Sequence, residues 1–269
     1  MPKVNVNDIE MYYEIHGEGP KLLYISGTGG DLRRKPNVFD SQLADHFTIL
    51  AFDQRGLGQT SKPDKRYTMA DYADDAAKLM DAQGWSIAKV LGVSFGGMVA
   101  QEFAIRYPEK IEKLVLACTC SGGEGGASYP LHENIGMPFE AVAKLMIGFS
   151  DNRHDEVWRR DNPEKYQEVI DSRVIGLRDS YGEAGSDKRT GIERQLEARR
   201  DHDTCDRLHG LRMPTLISGG RYDSVSPSSN LETLHGLIPS SRLELFEGGH
   251  GFLGQDPRAY EVIIDFLKN

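Results

Sequence analysis

Ser94 is set apart by its neighbours. Gly92-Val93-Ser94-Phe95-Gly96-Gly97 places a serine between glycines, directly after a short apolar run, Ala88-Lys89-Val90-Leu91, and before a helix-compatible stretch from Gly97 to Tyr107. A sharp strand-to-helix turn strains its central residue and leaves no room for side chains on either flank, so small residues are required there. Such a turn would hold the Ser94 hydroxyl above the sheet edge at a helix N-terminus, the context that a Gly-x-Ser-x-Gly nucleophile needs. A serine hydroxyl stays protonated at neutral pH until an adjacent base takes its proton.

Of the eight histidines, His250 is the best placed to be that base, because Glu247-Gly248-Gly249-His250-Gly251-Phe252 follows a strand-like run, Leu243-Glu244-Leu245-Phe246. The third member is an acid that fixes the imidazole tautomer and stabilises the imidazolium. Pro214-Thr215-Leu216-Ile217-Ser218-Gly219 reads as a buried strand that runs into Gly220-Arg221-Tyr222-Asp223, which makes Asp223 the candidate. Asp223 also suits a plainer role, capping the helix expected near Pro227. Asp53 and Arg55 read as a structural pair holding a loop, and His202 with Asp203 as a junction between two parts of the chain. Trp158, Phe139, Met146 and Phe149 could line an acyl pocket, although apolar residues at helical spacing more often pack a core.

These side chains need a scaffold, and the hydrophobic pattern describes one. Short apolar runs at Val4 to Val6, Ile9 to Ile15, Leu22 to Ile25 and Thr48 to Phe52 read as strands. Helix and buried strand then alternate: a helix from Met69 to Gln83, the strand and helix around Ser94, and a strand from Ile111 to Ala117. That rhythm argues for a parallel sheet covered on both faces. From about Ser121 to Gly210 it stops, with a Gly-rich stretch followed by helical segments at Phe139 to Phe149, Asp155 to Arg160, Glu164 to Asp179 and Lys188 to His202. Alternation resumes with a strand at Thr215 to Ser218, a helix from Ser228 to Leu237, a strand at Leu243 to Phe246 and a last helix from Asp256 to Leu267. The expected organisation is a core in two parts, residues 1–120 and 211–269, with a helical cap at residues 121–210 between them.

The order serine, acid, histidine resembles that of the α/β-hydrolase superfamily, and within it the small bacterial esterase, enol-lactonase and C–C hydrolase group. Phe52-Asp53-Gln54-Arg55-Gly56-Leu57-Gly58, Ala100-Gln101-Glu102-Phe103-Ala104 and His202-Asp203-Thr204-Cys205-Asp206-Arg207-Leu208 are similar to further family segments, so the resemblance spans nearly the whole chain. It implies an α/β-hydrolase fold, a mostly parallel sheet with helices on both faces. It also implies a Ser94–His250–Asp223 triad and an oxyanion hole from the backbone amides of Phe95 and Thr28. Ser26 departs from the histidine or asparagine that many relatives carry in the oxyanion loop. A serine nucleophile sets aside the branches that attack with aspartate, and Val93 replaces the asparagine common before the serine of C–C hydrolases. The expected reaction is hydrolysis of a small carboxylic ester or lactone through an acyl-enzyme, without cofactor. C–C bond hydrolysis stands as the alternative, with a triad-bearing small-molecule receptor as a reading from another class.

The composition narrows the partners. A formal net charge of −9 and a pI near 5.4 argue against nucleic acid, which needs a basic footprint. The first residues, Met1 to Asp8, lack the apolar stretch of an export signal, and no window approaches a membrane span, so a cytoplasmic protein acting on a small molecule is expected, with a homodimer compatible. Cys118, Cys120 and Cys205 are odd in number and Cys-Thr-Cys has no second ligand pair at zinc spacing, so no metal is expected. Cys118 and Cys120 are expected on one strand face.

Overall fold

The near-continuous apolar runs become the central strands. In the computed structural model, which describes residues 2–269, the chain forms β1 (Lys3–Val6), β2 (Ile9–His16), β3 (Lys21–Ile25), β4 (Thr48–Phe52), β5 (Ala88–Val93), β6 (Ile111–Ala117), β7 (Thr215–Gly220) and β8 (Ser241–Phe246). They make one sheet in the order β1-β2-β4-β3-β5-β6-β7-β8. Only β2 runs against its neighbours, antiparallel to β1 and β4, and the pairs from β4 through β8 are parallel. This is the mostly parallel α/β-hydrolase fold expected from the sequence. The strands β5 and β7 are buried along nearly their whole length because helices cover both faces.

One face is packed by α1 (Met69–Ala82), α2 (Phe95–Arg106) and α7 (Ser228–Leu237), whose Ala73, Leu79, Phe103 and Leu231 join the strands in a single core. The other carries the short α8 (Phe252–Gln255) and α9 (Arg258–Lys268), with Phe252, Ile263 and Leu267 against Ile49, Leu91 and Leu216. Helix α1 starts at a reciprocal cap in which Thr68 Oγ1 accepts from the Asp71 amide and Asp71 accepts from the Thr68 amide. Between β6 and β7 lie α3 (Phe139–Ser150), α4 (Glu156–Asp161), α5 (Pro163–Tyr181) and α6 (Asp187–Arg200). Ala143, Ile147 and Ile170 pack α3 against α5.

Three details differ from the sequence reading. Strand β5 runs to Val93 and α2 begins at Phe95, two residues before Gly97, because the turn between them is one residue wide. The last helix begins at Arg258, since Asp256 folds back to accept the Glu247 and Arg258 amides, and Phe252–Gln255 forms a separate turn of helix. Cys118 and Cys120 do not share a strand face: β6 ends at Ala117, Cys118 has φ of 42°, and the two thiols fall in cores on opposite sides of the sheet. Among the described residues no helix is long and apolar enough to cross a membrane, and no group of His, Cys, Asp and Glu could hold a metal ion.

Candidate active site

Ser94 is the single residue of the β5–α2 turn, with φ 55° and ψ −116°, a conformation that costs a non-glycine residue on the order of 1–3 kcal/mol. The surroundings hold it there. Its amide donates to the Ala117 carbonyl at 2.8 Å, and its carbonyl accepts from the Gly97 and Met98 amides. The flanking glycines have no alternative: a Cβ on Gly96 would lie 2.0 Å from the Ile25 carbonyl oxygen, and one on Gly92 would lie 2.3 Å from that of Gly96.

His250 sits in the loop after β8, fixed by its amide to the Ser150 carbonyl at 2.6 Å. Its Nε2 is 3.0 Å from Ser94 Oγ and its Nδ1 is 2.7 Å from Asp223 Oδ2. Asp223 accepts from Nδ1–H, so the neutral ring carries its proton on Nδ1 and leaves the Nε2 lone pair for the serine hydroxyl. Asp223 is 3% exposed, and its other carboxylate oxygen accepts from the Val225 and Ser226 amides at 2.8 and 3.0 Å. One oxygen of Asp223 thus serves the histidine and the other the turn at Val225 and Ser226. It does not cap α7, whose first turn begins after Pro227 without a side-chain cap.

Phe95 is the first residue of α2, so its N–H has no acceptor within the helix. Its side chain points away into the core, edge-on to Tyr72 at 5.0 Å between centroids. Thr28 follows β3, and Gly27 and Thr28 line a cavity of about 410 Å³ together with Ser94 and His250. Ser26 is held by Gln54, whose Nε2 donates to the Ser26 carbonyl at 2.8 Å and so supports the loop after β3. The Gly29 amide donates to Gln195 on α6, tying the loop after β3 to the helical insertion. The N-terminus of α2 favours negative charge beside Ser94 by roughly 0.3–1 kcal/mol.

The roof of the cavity comes from the insertion and the β7–α7 turn. Leu131, Ala143, Met146, Leu177, Tyr181 and Val225 are prominent in it. Of the four residues read as a possible acyl pocket, only Met146 faces the cavity. Phe149 packs on Tyr129, Trp158 packs at a tilt on His154, and Phe139 joins a cluster with Leu57 and Ile192. The signal that could have found Leu177 and Tyr181 is their spacing of four along α5, but the sequence does not say which face of that helix looks inward.

Asp53 and Arg55 do not pair with each other. Asp53 accepts from the Leu32 and Gln59 amides, and burial pushes its pKa up to about 6. Arg55 is 1% exposed and forks onto Asp75 at 2.8 and 2.9 Å, with Asp8 on its far side. Neither lines the cavity. His202 donates from Nε2 to the Cys120 carbonyl and Asp203 bridges to Gly122, so both stand at the junction between insertion and core.

A family profile described as alpha/beta hydrolase fold matches residues 20–145. The chain is 29% identical over 264 residues to the poly(3-hydroxyalkanoate) depolymerase of Ectopseudomonas oleovorans, covering 92% of this chain and 84% of that one. Among solved structures it is similar to a hydrolase from Pseudomonas aeruginosa, with a TM-score of 0.80 at 26% identity over 100% of this chain and 98% of the other. It is also similar to the enol-lactonase from Burkholderia xenovorans, with a TM-score of 0.77 at 24% identity over 100% of both chains.

Proposed function

Given that the chain belongs to the α/β-hydrolase superfamily, we propose that it is a serine hydrolase cleaving a small carboxylic ester or lactone through an acyl-enzyme. The observation that carries this reading is the run of contacts from Asp223 through His250 to Ser94, at 2.7 and 3.0 Å, opening on a cavity sized for a small molecule. The relatives named as a depolymerase and an enol-lactonase support an oxygen-ester or lactone substrate class.

In the proposed sequence, His250 Nε2 takes the Ser94 proton as Oγ bonds to the substrate carbonyl carbon. The carbonyl oxygen becomes an oxyanion held by the backbone amides of Phe95 and Thr28, which act without reorganising. His250 then protonates the departing alkoxide, leaving the acyl group on Ser94. A water deprotonated by His250 attacks the acyl carbon, and the collapse of the second tetrahedral intermediate returns the proton to Ser94 and releases the acid. Residues 121–210 serve as a cap that shapes the acyl and alcohol pockets, over a core made of residues 1–120 and 211–269.

Intact-mass analysis after treatment with a fluorophosphonate probe, followed by a panel of p-nitrophenyl esters and lactones, tests this. One adduct on Ser94, its loss in Ser94→Ala, and turnover on a panel member that falls by several orders of magnitude in that variant are expected. Near-normal turnover by Ser94→Ala removes the serine from the mechanism.

A further inference from the structure

The cavity wall opposite the sheet is not neutral. Helix α5 lines the cavity with Arg173, Gly176, Leu177, Ser180 and Tyr181, spaced three and four apart so that they form one stripe. Arg173 is the charged member of that stripe, and the cavity wall contains no Asp or Glu. Part-buried or buried arginines elsewhere in the insertion have partners: Arg189 pairs with Glu193, Arg194 with Asp64 and Glu197, and Arg199 donates to Ser128. Arg173 has none among the described residues. Burial alone acts on it, drawing its pKa below the ordinary arginine value with no neighbouring carboxylate to offset the effect. Arg34 adds positive charge behind the same wall, its guanidinium donating to two neutral groups, Ser180 Oγ and the Gly29 carbonyl.

A guanidinium held in a largely apolar wall without a counter-ion loses hydration and gains little in return. The arrangement becomes favourable when a planar anion arrives, because the arginine fork matches a carboxylate with two parallel hydrogen bonds. In a chain of net charge −9, an anionic molecule is repelled at long range, so only a local cation would make this pocket accept one. We propose that the substrate carries a carboxylate that Arg173 receives at the α5 wall, while its scissile carbonyl lies over Ser94. Arg173 is then a specificity residue, and the inference rests on the serine-hydrolase reading above.

The test compares two p-nitrophenyl esters of matched length, the pentanoate, which is neutral, and the monoglutarate, which carries a distal carboxylate. The readout is the ratio of their kcat/KM values, anionic over neutral, which partial unfolding of a variant leaves unchanged because it lowers both. Arg173→Met is expected to lower that ratio by about 10- to 100-fold, the worth of hydrogen bonds to a charged group. Arg173→Glu should lower it further, and Arg173→Lys should retain part of it, with the loss in KM more than in kcat.

If the wild type turns over neither ester, protection of Ser94 from the fluorophosphonate by glutarate, against glutaramide, gives the same comparison without turnover. Glutarate should protect the wild type better, and Arg173→Met should erase the difference. A ratio or protection unchanged within about threefold in the Met and Glu variants, with Ser94 still labelled, overturns the carboxylate inference alone, since hydrogen bonds to a charged group are worth more than that. Absence of labelling at Ser94 overturns the serine-hydrolase reading, and this inference with it.

Discussion

Replacing Asp223 by asparagine separates the two tasks that its carboxylate performs. One oxygen accepts from the Val225 and Ser226 amides and the other from His250 Nδ1. The new side chain keeps one acceptor and gains a donor, so it must choose. If its oxygen turned to the histidine, its NH2 group would face two buried amide donors, leaving both unsatisfied at about 1–3 kcal/mol each. The favoured rotamer keeps the oxygen on the two amides and points the NH2 group at His250 Nδ1. That nitrogen must then become an acceptor, and the ring proton moves to Nε2, where it faces Ser94 Oγ as a donor and cannot take the serine proton. In a Ser-His-Asp site the wrong tautomer costs about 10⁴ in kcat, or roughly 5 kcal/mol of barrier. The fold should hardly notice, because both backbone bonds survive. Asp223→Ala loses all of these acceptors and should cost about 2–6 kcal/mol of stability as well. Steady-state kcat on the best panel ester, with thermal melts of both variants, reads these two effects apart. An asparagine variant within tenfold of wild-type kcat would refute the tautomer argument. One that also melts like the alanine variant would refute the rotamer argument.

Two further expectations concern residues away from the cavity. Arg55→Met leaves Asp75 ionised or protonated in a site 1% exposed, and breaking such a buried pair costs about 3–5 kcal/mol; denaturant unfolding should show that loss, with turnover per folded molecule retained. His202 is held neutral, burial having pulled its pKa down to about 4. Its folded pKa lies below the unfolded value near 6.5, so the stability it contributes is full above pH 6.5 and is lost as pH falls through 4. The stability difference between wild type and His202→Gln should shrink by about 3 kcal/mol from pH 6.5 to 4, read by urea titration at several pH values; a difference independent of pH would place the acid sensitivity elsewhere.

Much of the scaffold was legible because it is local. The runs Thr48–Phe52, Ala88–Val93 and Thr215–Gly220 consist mostly of apolar or small residues, as a strand buried on both faces requires. The glycines around Ser94 mark a sharp turn in the sequence, although the atom that forbids a side chain at Gly96 is the distant Ile25 carbonyl oxygen, and the turns after two strand-like runs nominated Asp223 and His250. The insertion was readable as four helices, with bounds within a few residues, for the same reason of local periodicity.

What those helices face was not readable. Helix α5 carries Tyr166, Ile170, Val174, Leu177 and Tyr181 among many charges, and its apolar side chains serve both the packing on α3 and the cavity roof. The sequence alone offered Trp158, Phe139, Met146 and Phe149 for the pocket, and only Met146 lines it, because size and hydrophobicity are local properties whereas facing Ser94 is not. The double use of Asp223, the absence of a partner for Arg173 and the link from Gln195 to the Gly29 amide likewise depend on groups far apart in the chain. The sequence by itself determined the elements, their order and the chemistry the turns can hold, since each follows from neighbours within a turn or a strand. Only the tertiary structure decided which side chains meet over the serine, because burial and hydrogen-bond partnership depend on what the rest of the chain brings alongside.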